Sequence, residues 1–207
     1  RGMKIIMEIT LSPVDRDLLT ATRYGQNYEA ARNDRMFAGL SATGGIALIA
    51  AAAGGGHPTL FNPAGSKRVI SIKALKLGYV TAGANAPGSL AWNITENAGA
   101  NIGPAGAAIL TATRVAVRNL QVGSAKLGVA YWSPTTNTFT AAPVYHRPIG
   151  LSLFTAISTT AVAPFPWREN YDGDNLIMPG TALSLVTVQA TTTALFRVCV
   201  EFEEVDL

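Results

Sequence analysis

The chain of 207 residues is predicted to be mainly β, an antiparallel β-sandwich of the jelly-roll type with a short N-terminal arm of strand and helix. Three observations lead there. From about Leu60 onward, short runs alternate apolar and polar residues, the period-two signature of half-buried strands. Gly and Pro punctuate those runs, and nothing reads as a βαβ crossover. Finally, no Asp, Glu, Lys or Arg occurs between Ala38 and Ser66, so a Gly/Ala-rich tract divides a charged first part from the β-rich remainder. The expected organisation is an arm over residues 1–59 and a sandwich domain over residues 60–207.

In the arm, Ile5, Met7, Ile9 and Leu11 alternate with Glu8 and Thr10, which predicts a strand ending at Ser12-Pro13. Residues 15–40 are helical in parts. The best stretch is Tyr28–Phe37, with Asn27 placed as N-cap and Gly39 as the stop. A solvated helix surface is the plain reading of this charged region, and a docking arm is the sharper one. The following tract offers little side chain to pack, so alone it does not offset its ordering entropy. Its apolar part is shorter than the roughly 20 residues a membrane span needs. It is expected to order against a partner. Tyr24, Tyr28, Met36, Phe37, Ile46, Leu48 and Ile49 are the expected contact residues.

The sandwich is expected to open after a turn cluster at Leu60–Ser66. Ile70, Ile72 and Ala74 share one face, and then the phase slips so that Leu75, Leu77 and Tyr79 continue it. One inserted residue of this kind predicts a β-bulge. Leu90, Trp92 and Ile94 mark another strand, as do Val115 with Val117, Leu127 with Val129 and Tyr131, and Leu151 with Leu153. Near the C-terminal side, Thr181–Val188 and the run Phe196, Val198, Val200, Phe202 read as a hairpin across the polar connection 189–193. Arg197, Cys199, Glu201 and Glu203 fall on the opposite face of that last strand.

Charged residues make up 14% of the chain, against about a quarter in a typical globular domain, and the formal net charge is +3. Such low charge argues against disorder over the whole length and favours either a surface largely covered by neighbours or a bland, Thr-rich exterior. Between Met36 and Trp167 the only acid is Glu96, against eight bases. The bases are spread over several segments without a nucleic-acid motif around them, so contact between copies or with an acidic protein surface explains them as well as nucleic acid does. A lone cysteine, Cys199, excludes an intrachain disulfide framework.

No catalytic constellation emerges. Gly150–Phe154 lacks the second glycine of a nucleophile elbow, and Gly65–Arg68 lacks the spacing of a phosphate loop. The two histidines, His57 and His146, have no carboxylate or thiol nearby in sequence. Asp172 and Asp174 flank Gly173 in what reads as an ordinary turn, with cation binding as the rival reading. Asn93-Ile94-Thr95 matches a glycosylation sequon but falls within a strand. Trp132, Phe165, Trp167 and Tyr171 are expected to be core or contact aromatics, a sugar platform being the weaker reading. No enzymatic activity, cofactor or metal is expected.

The segments Leu60–Ser66, Met178–Ser184 and Thr191–Glu204 resemble those of small β-sandwich virion proteins of tailed bacteriophages, the class of head decoration or cement proteins and fibre heads. That resemblance implies a non-enzymatic role on the virion, commonly as a trimer. The expectation is a capsid decoration protein at the capsid surface that bridges and stabilises major capsid subunits, with the major capsid protein and its own copies as partners. The alternative is a receptor- or glycan-binding module of a tail fibre or baseplate.

Overall fold

A computed structural model describes residues 27–48, 58–81, 90–95, 117–134, 143–149, 167–187 and 195–207. In chain order these form α1 (Tyr28–Arg32), β1 (Met36–Leu40), β2 (Thr59–Phe61), β3 (Arg68–Thr81), β4 (Leu90–Thr95), β5 (Val117–Asn119) and β6 (Tyr131–Ser133). There follow β7 (Val144–Ile149), β8 (Trp167–Asn170), β9 (Leu176–Ile177), β10 (Ala182–Thr187) and β11 (Leu195–Asp206). No helix among the described residues is long and apolar enough to cross a membrane.

The strands build two antiparallel sheets. The first has the order β5-β1-β11-β3-β8, with β9 also pairing β3; the second has the order β6-β2-β10-β4-β7. Among the described residues no strand pairs with its predecessor or successor in sequence. The chain changes sheet at almost every step instead. The protein is thus a mainly β, antiparallel sandwich. Its core is filled by Phe37, Leu75, Val198, Val200 and Phe202 from the first sheet, and by Leu60, Trp92, Trp132, Leu183 and Leu185 from the second. Phe37 stacks on Phe202 with centroids 6.0 Å apart, and Tyr79 meets Phe196 edge-on at 5.1 Å.

A bulge is present in β3 as expected, but it falls before Ala74, which pairs with Glu201 on the opposite face from Ile70 and Ile72. Glu201 pairs with Ala74 but Phe202 pairs with Ile72, so Lys73 is the extra residue that resets the inward phase. A second irregularity leaves Val80 between Tyr79 and Thr81. The inward set on β11 is also as expected: Phe196, Val198, Val200 and Phe202 are buried, while Arg197 is exposed.

Several expectations are corrected. β10 and β11 do not form a hairpin. β10 lies between β2 and β4, and β11 lies between β1 and β3 in the other sheet. Alternation identifies a strand but not its neighbour. Here β10 is buried along its whole length, which suits a central position, and the acids of β11 find lysines on β3. The helix ends at Arg32 rather than Phe37. Asn33 and Asp34 turn the chain, with Asp34 at φ 56°, and Met36 opens a strand. Asn27 does sit at the helix start, but its side chain makes no capping hydrogen bond. Gly39 is not a helix stop. A Cβ there would lie 2.8 Å from Trp132 Cγ, so the glycine is needed for the indole to pack against β1.

The strand expected over Leu127, Val129 and Tyr131 is reduced to Tyr131–Ser133, and Leu127 is 79% exposed in a loop. The expected division between arm and sandwich does not follow the sheets. β1 runs along β11 from Met36↔Glu203 to Leu40↔Cys199, and Ile46 bridges Phe196, so residues 36–46 are part of the first sheet. The expected strands at 5–11 and at Leu151 and Leu153 lie outside the described residues.

Candidate interaction surface

The outer face of the first sheet is set by the period of two. Inward Phe196, Val198, Val200 and Phe202 leave Arg197, Cys199, Glu201 and Glu203 pointing outward. In register beside them stand Met36, Ala38 and Leu40 of β1, and Ser71, Ala74, Lys76 and Gly78 of β3. Charges pair across this face. Glu203 takes Arg35 Nε at 3.3 Å and Lys73 Nζ at 3.0 Å, and Glu201 takes Lys76.

Where β1 ends, this face opens into a depression of about 380 Å³. Leu40, Ala42, Leu77, Gly78, Val198 and Cys199 line it together with Lys76, which Glu201 engages, and exposed Arg197. Its wall is fixed by the backbone: Ser41 N–H donates to the Val198 carbonyl and the Val198 N–H donates to Ser41 Oγ, both at 2.9 Å. Gly78 contributes no side chain, so the floor is bare there. Arg197 is held by Nε donating to the Thr43 carbonyl at 2.7 Å, with its guanidinium exposed. Burial pushes the Cys199 thiol up, Glu201 adds to this and Lys76 opposes it, so the sulfur stays a neutral apolar group at neutral pH.

Two polar ties hold the rest of the sandwich. Glu204 is on the inner face and its side chain is fully buried. Its Oε1 accepts the N–H groups of Val129 at 2.7 Å and Ala130 at 2.9 Å, and its Oε2 meets Arg68 Nη1 at 3.4 Å. The carboxylate thereby fastens the loop between β5 and β6 to β11. Burial raises its affinity for a proton, and the donated hydrogen bonds and Arg68 work against that. The second tie joins the sheets beside β7 and β8. Trp92 Nε1 donates to Tyr171 Oη at 2.8 Å, and Tyr171 also hydrogen-bonds Glu169. Arg147 lies over the Tyr171 ring at 5.5 Å and donates to Asp174 Oδ2 at 2.7 Å. Burial pushes both the Tyr171 hydroxyl and the Glu169 carboxyl up, whereas the Arg147 hydrogen bond holds Asp174 down. These groups engage one another within the chain, and Glu169 Oε2 is the one oxygen among them that is buried without a hydrogen-bond partner.

The residues expected to contact a partner fall into distinct places. Phe37 and Leu48 are fully buried and Ile46 nearly so in the sandwich core, and Met36, on the opposite face of β1, is covered as well at 2% exposure. Their burial is already used by the fold, so a partner's groove cannot gain it again. Tyr28 on α1 is 40% exposed. Tyr24 and Ile49 lie outside the described residues. Asp174 is engaged by Arg147, and among the described residues no three His, Cys, Asp or Glu side chains gather as a metal site. His146 is exposed on β7, at the register shift opposite Trp92 and Asn93; His57 lies outside the described residues. Trp132 and Tyr171 are core residues, Trp167 packs against the core, and Phe165 lies outside the described residues. Asn93 is 2% exposed and donates to the Pro143 carbonyl, which keeps the sequon from a glycan-transfer enzyme.

The depression and the two ties were not anticipated. A signal existed for Glu204, because it falls in phase with Phe202 and therefore points inward. None existed for the depression, which joins residues 40–43 to 76–78 and 197–199. No protein-family model, curated protein or solved structure matches this chain.

Proposed function

We propose that the chain is a non-enzymatic virion structural protein, a capsid decoration protein that bridges major capsid subunits as a homo-oligomer. The observation that carries this reading is the strand order. With β5, β6 and β9 set aside, the orders β1-β11-β3-β8 and β2-β10-β4-β7, threaded by a chain that moves between the sheets, support a jelly-roll reading, an architecture found in viral capsid and lectin domains. Low charge and exposed apolar side chains at Val122, Leu127, Val144, Tyr145 and Leu207 support a surface made to meet other subunits. The attachment surface differs from the anchoring arm read in the sequence: with Phe37, Ile46 and Leu48 used internally, contacts with other subunits fall to exposed loops and strand ends. The test is to mix purified chain with undecorated capsids, measure co-sedimentation, and locate the chain on native particles with labelled antibody. Saturable binding at a copy number near that of the major capsid protein supports the proposal. Label confined to the tail transfers the chain to the fibre or baseplate reading, and absence from particles overturns both.

A further inference from the structure

We propose that the Val205–Leu207 segment of one copy docks in the depression of a second copy, so that the chain associates head to tail. This rests on the reading of the chain as an assembling structural protein and names the contact that such assembly uses. The depression offers an apolar floor, from Leu40, Gly78 and Cys199, beneath a cationic rim at Arg197. Its occupant must therefore pair an apolar side chain with a carboxylate.

The exposed apolar groups differ in their company. Val122 and Leu127 share a loop with Lys126. Val144 and Tyr145 lie beside Arg147, and Leu176 and Met178 beyond Asp174, two charges that already hold each other at 2.7 Å, so none of these sets brings a free carboxylate to the depression. Val205 and Leu207, at 37% and 69% exposure, flank Asp206 instead. The Asp206 side chain is 82% exposed, the highest value for any acid in the ion pairs of the described residues. Its contact with Arg68, 3.2 Å, lies at the surface, where exchange for Arg197 costs little.

Geometry excludes self-docking. Cys199 and Asp206 lie on one continuous strand. At about 3.3 Å per residue, seven residues separate the segment from its own depression by roughly 23 Å. Occupancy therefore takes a second copy. Because the two surfaces are different patches, the contact is heterologous, and its rotation decides whether copies close into a ring, as a trimer would, or extend.

The test measures oligomer mass by sedimentation velocity over a range of chain concentrations, with thermal melts to show that each variant folds. Arg197→Glu and Asp206→Lys are each expected to weaken association about tenfold or more, because each sets like charges against each other. The chain carrying both changes is expected to recover it, since the pair is restored with its signs exchanged. Leu207→Asp, which leaves the charges of the rim untouched, is expected to dissociate the oligomer. A monomeric wild-type chain overturns the proposal, as does indifference to either single reversal or failure of the double change to recover association. A chain that is monomeric yet binds capsids sinks this contact and leaves the proposed function standing. A chain that associates through this contact and binds no particle does the reverse.

Discussion

Removing residues 1–58, so that the chain starts at β2, separates a detachable arm from an integral part of the sandwich. Phe37 and Leu48 are fully buried, and Met36 and Ile46 are 2% and 6% exposed. Burying each such side chain contributes about 1.5–3 kcal/mol, so the four together supply roughly 6–12 kcal/mol before ordering costs. The deletion also strips β11 of its five-residue partner and uncovers Val200 and Phe202. A whole domain is stable by only about 5–15 kcal/mol. The truncated chain is therefore expected to lack a cooperative thermal transition and near-ultraviolet dichroism, and to aggregate through the bared edge of β11. Phe37→Ala in the full chain is the graded version and should cost about 3–5 kcal/mol. A truncated chain that melts cooperatively within a few degrees of the full one would refute this reasoning and restore the detachable arm.

Gly39→Ala drives a Cβ into the Trp132 indole, at 2.8 Å, and threatens the Nε1 bond to the Leu40 carbonyl. Overpacking of about 1–3 kcal/mol should appear as a lowered melting temperature and a shifted tryptophan emission. Asn62 is fully buried and donates to the carbonyls of both Arg68 and Ile177. Asn62→Ala removes both bonds, with only Ser66 Oγ still donating to the Arg68 carbonyl, and should cost about 1–3 kcal/mol in denaturant titration. Arg147→Ala, which breaks a part-exposed pair, should cost under about 1 kcal/mol. Glu204 binds its proton more tightly folded than unfolded, where the ordinary value is 4.5. Its contribution to stability is thus fully present below pH 4.5 and is lost as pH rises through the higher folded value. Glu169 acts in the same direction. Melting temperatures followed upward from acid pH should fall less steeply in Glu204→Gln than in wild type, and equal slopes would rule the linkage out.

The class of fold was legible because alternation is local. Ile70 and Ile72, then Leu75 and Leu77, announce both a strand and its bulge without reference to the rest of the chain. Partner choice was not legible, since Thr181–Val188 followed by Phe196–Phe202 looks like a hairpin whether or not the chain crosses to the other sheet between them. Met36 and Phe37 extended a helical pattern on local propensity, but pairing with Glu203 and Phe202 outweighs it. Gly39 marks a close approach within a sheet and not a helix end. The glycine accommodates Trp132, a residue remote in sequence. The interaction surface failed for the same reason, as it is assembled from three separate segments.

The placing of β1 against β11 has a temporal side. The Ser41 and Val198 backbones bond to each other although 157 residues separate them. During synthesis β1 emerges before β5 and long before β11, so its pairing with β11 waits until the intervening strands have been made. Native pairings between such distant segments make folding slow, and meanwhile an apolar strand stands exposed on each nascent chain. Neighbouring chains on one message thus offer one another the same unpaired strand at high local concentration. Yield on expression should therefore depend more on translation rate and chaperone supply than on the stability of the finished sandwich.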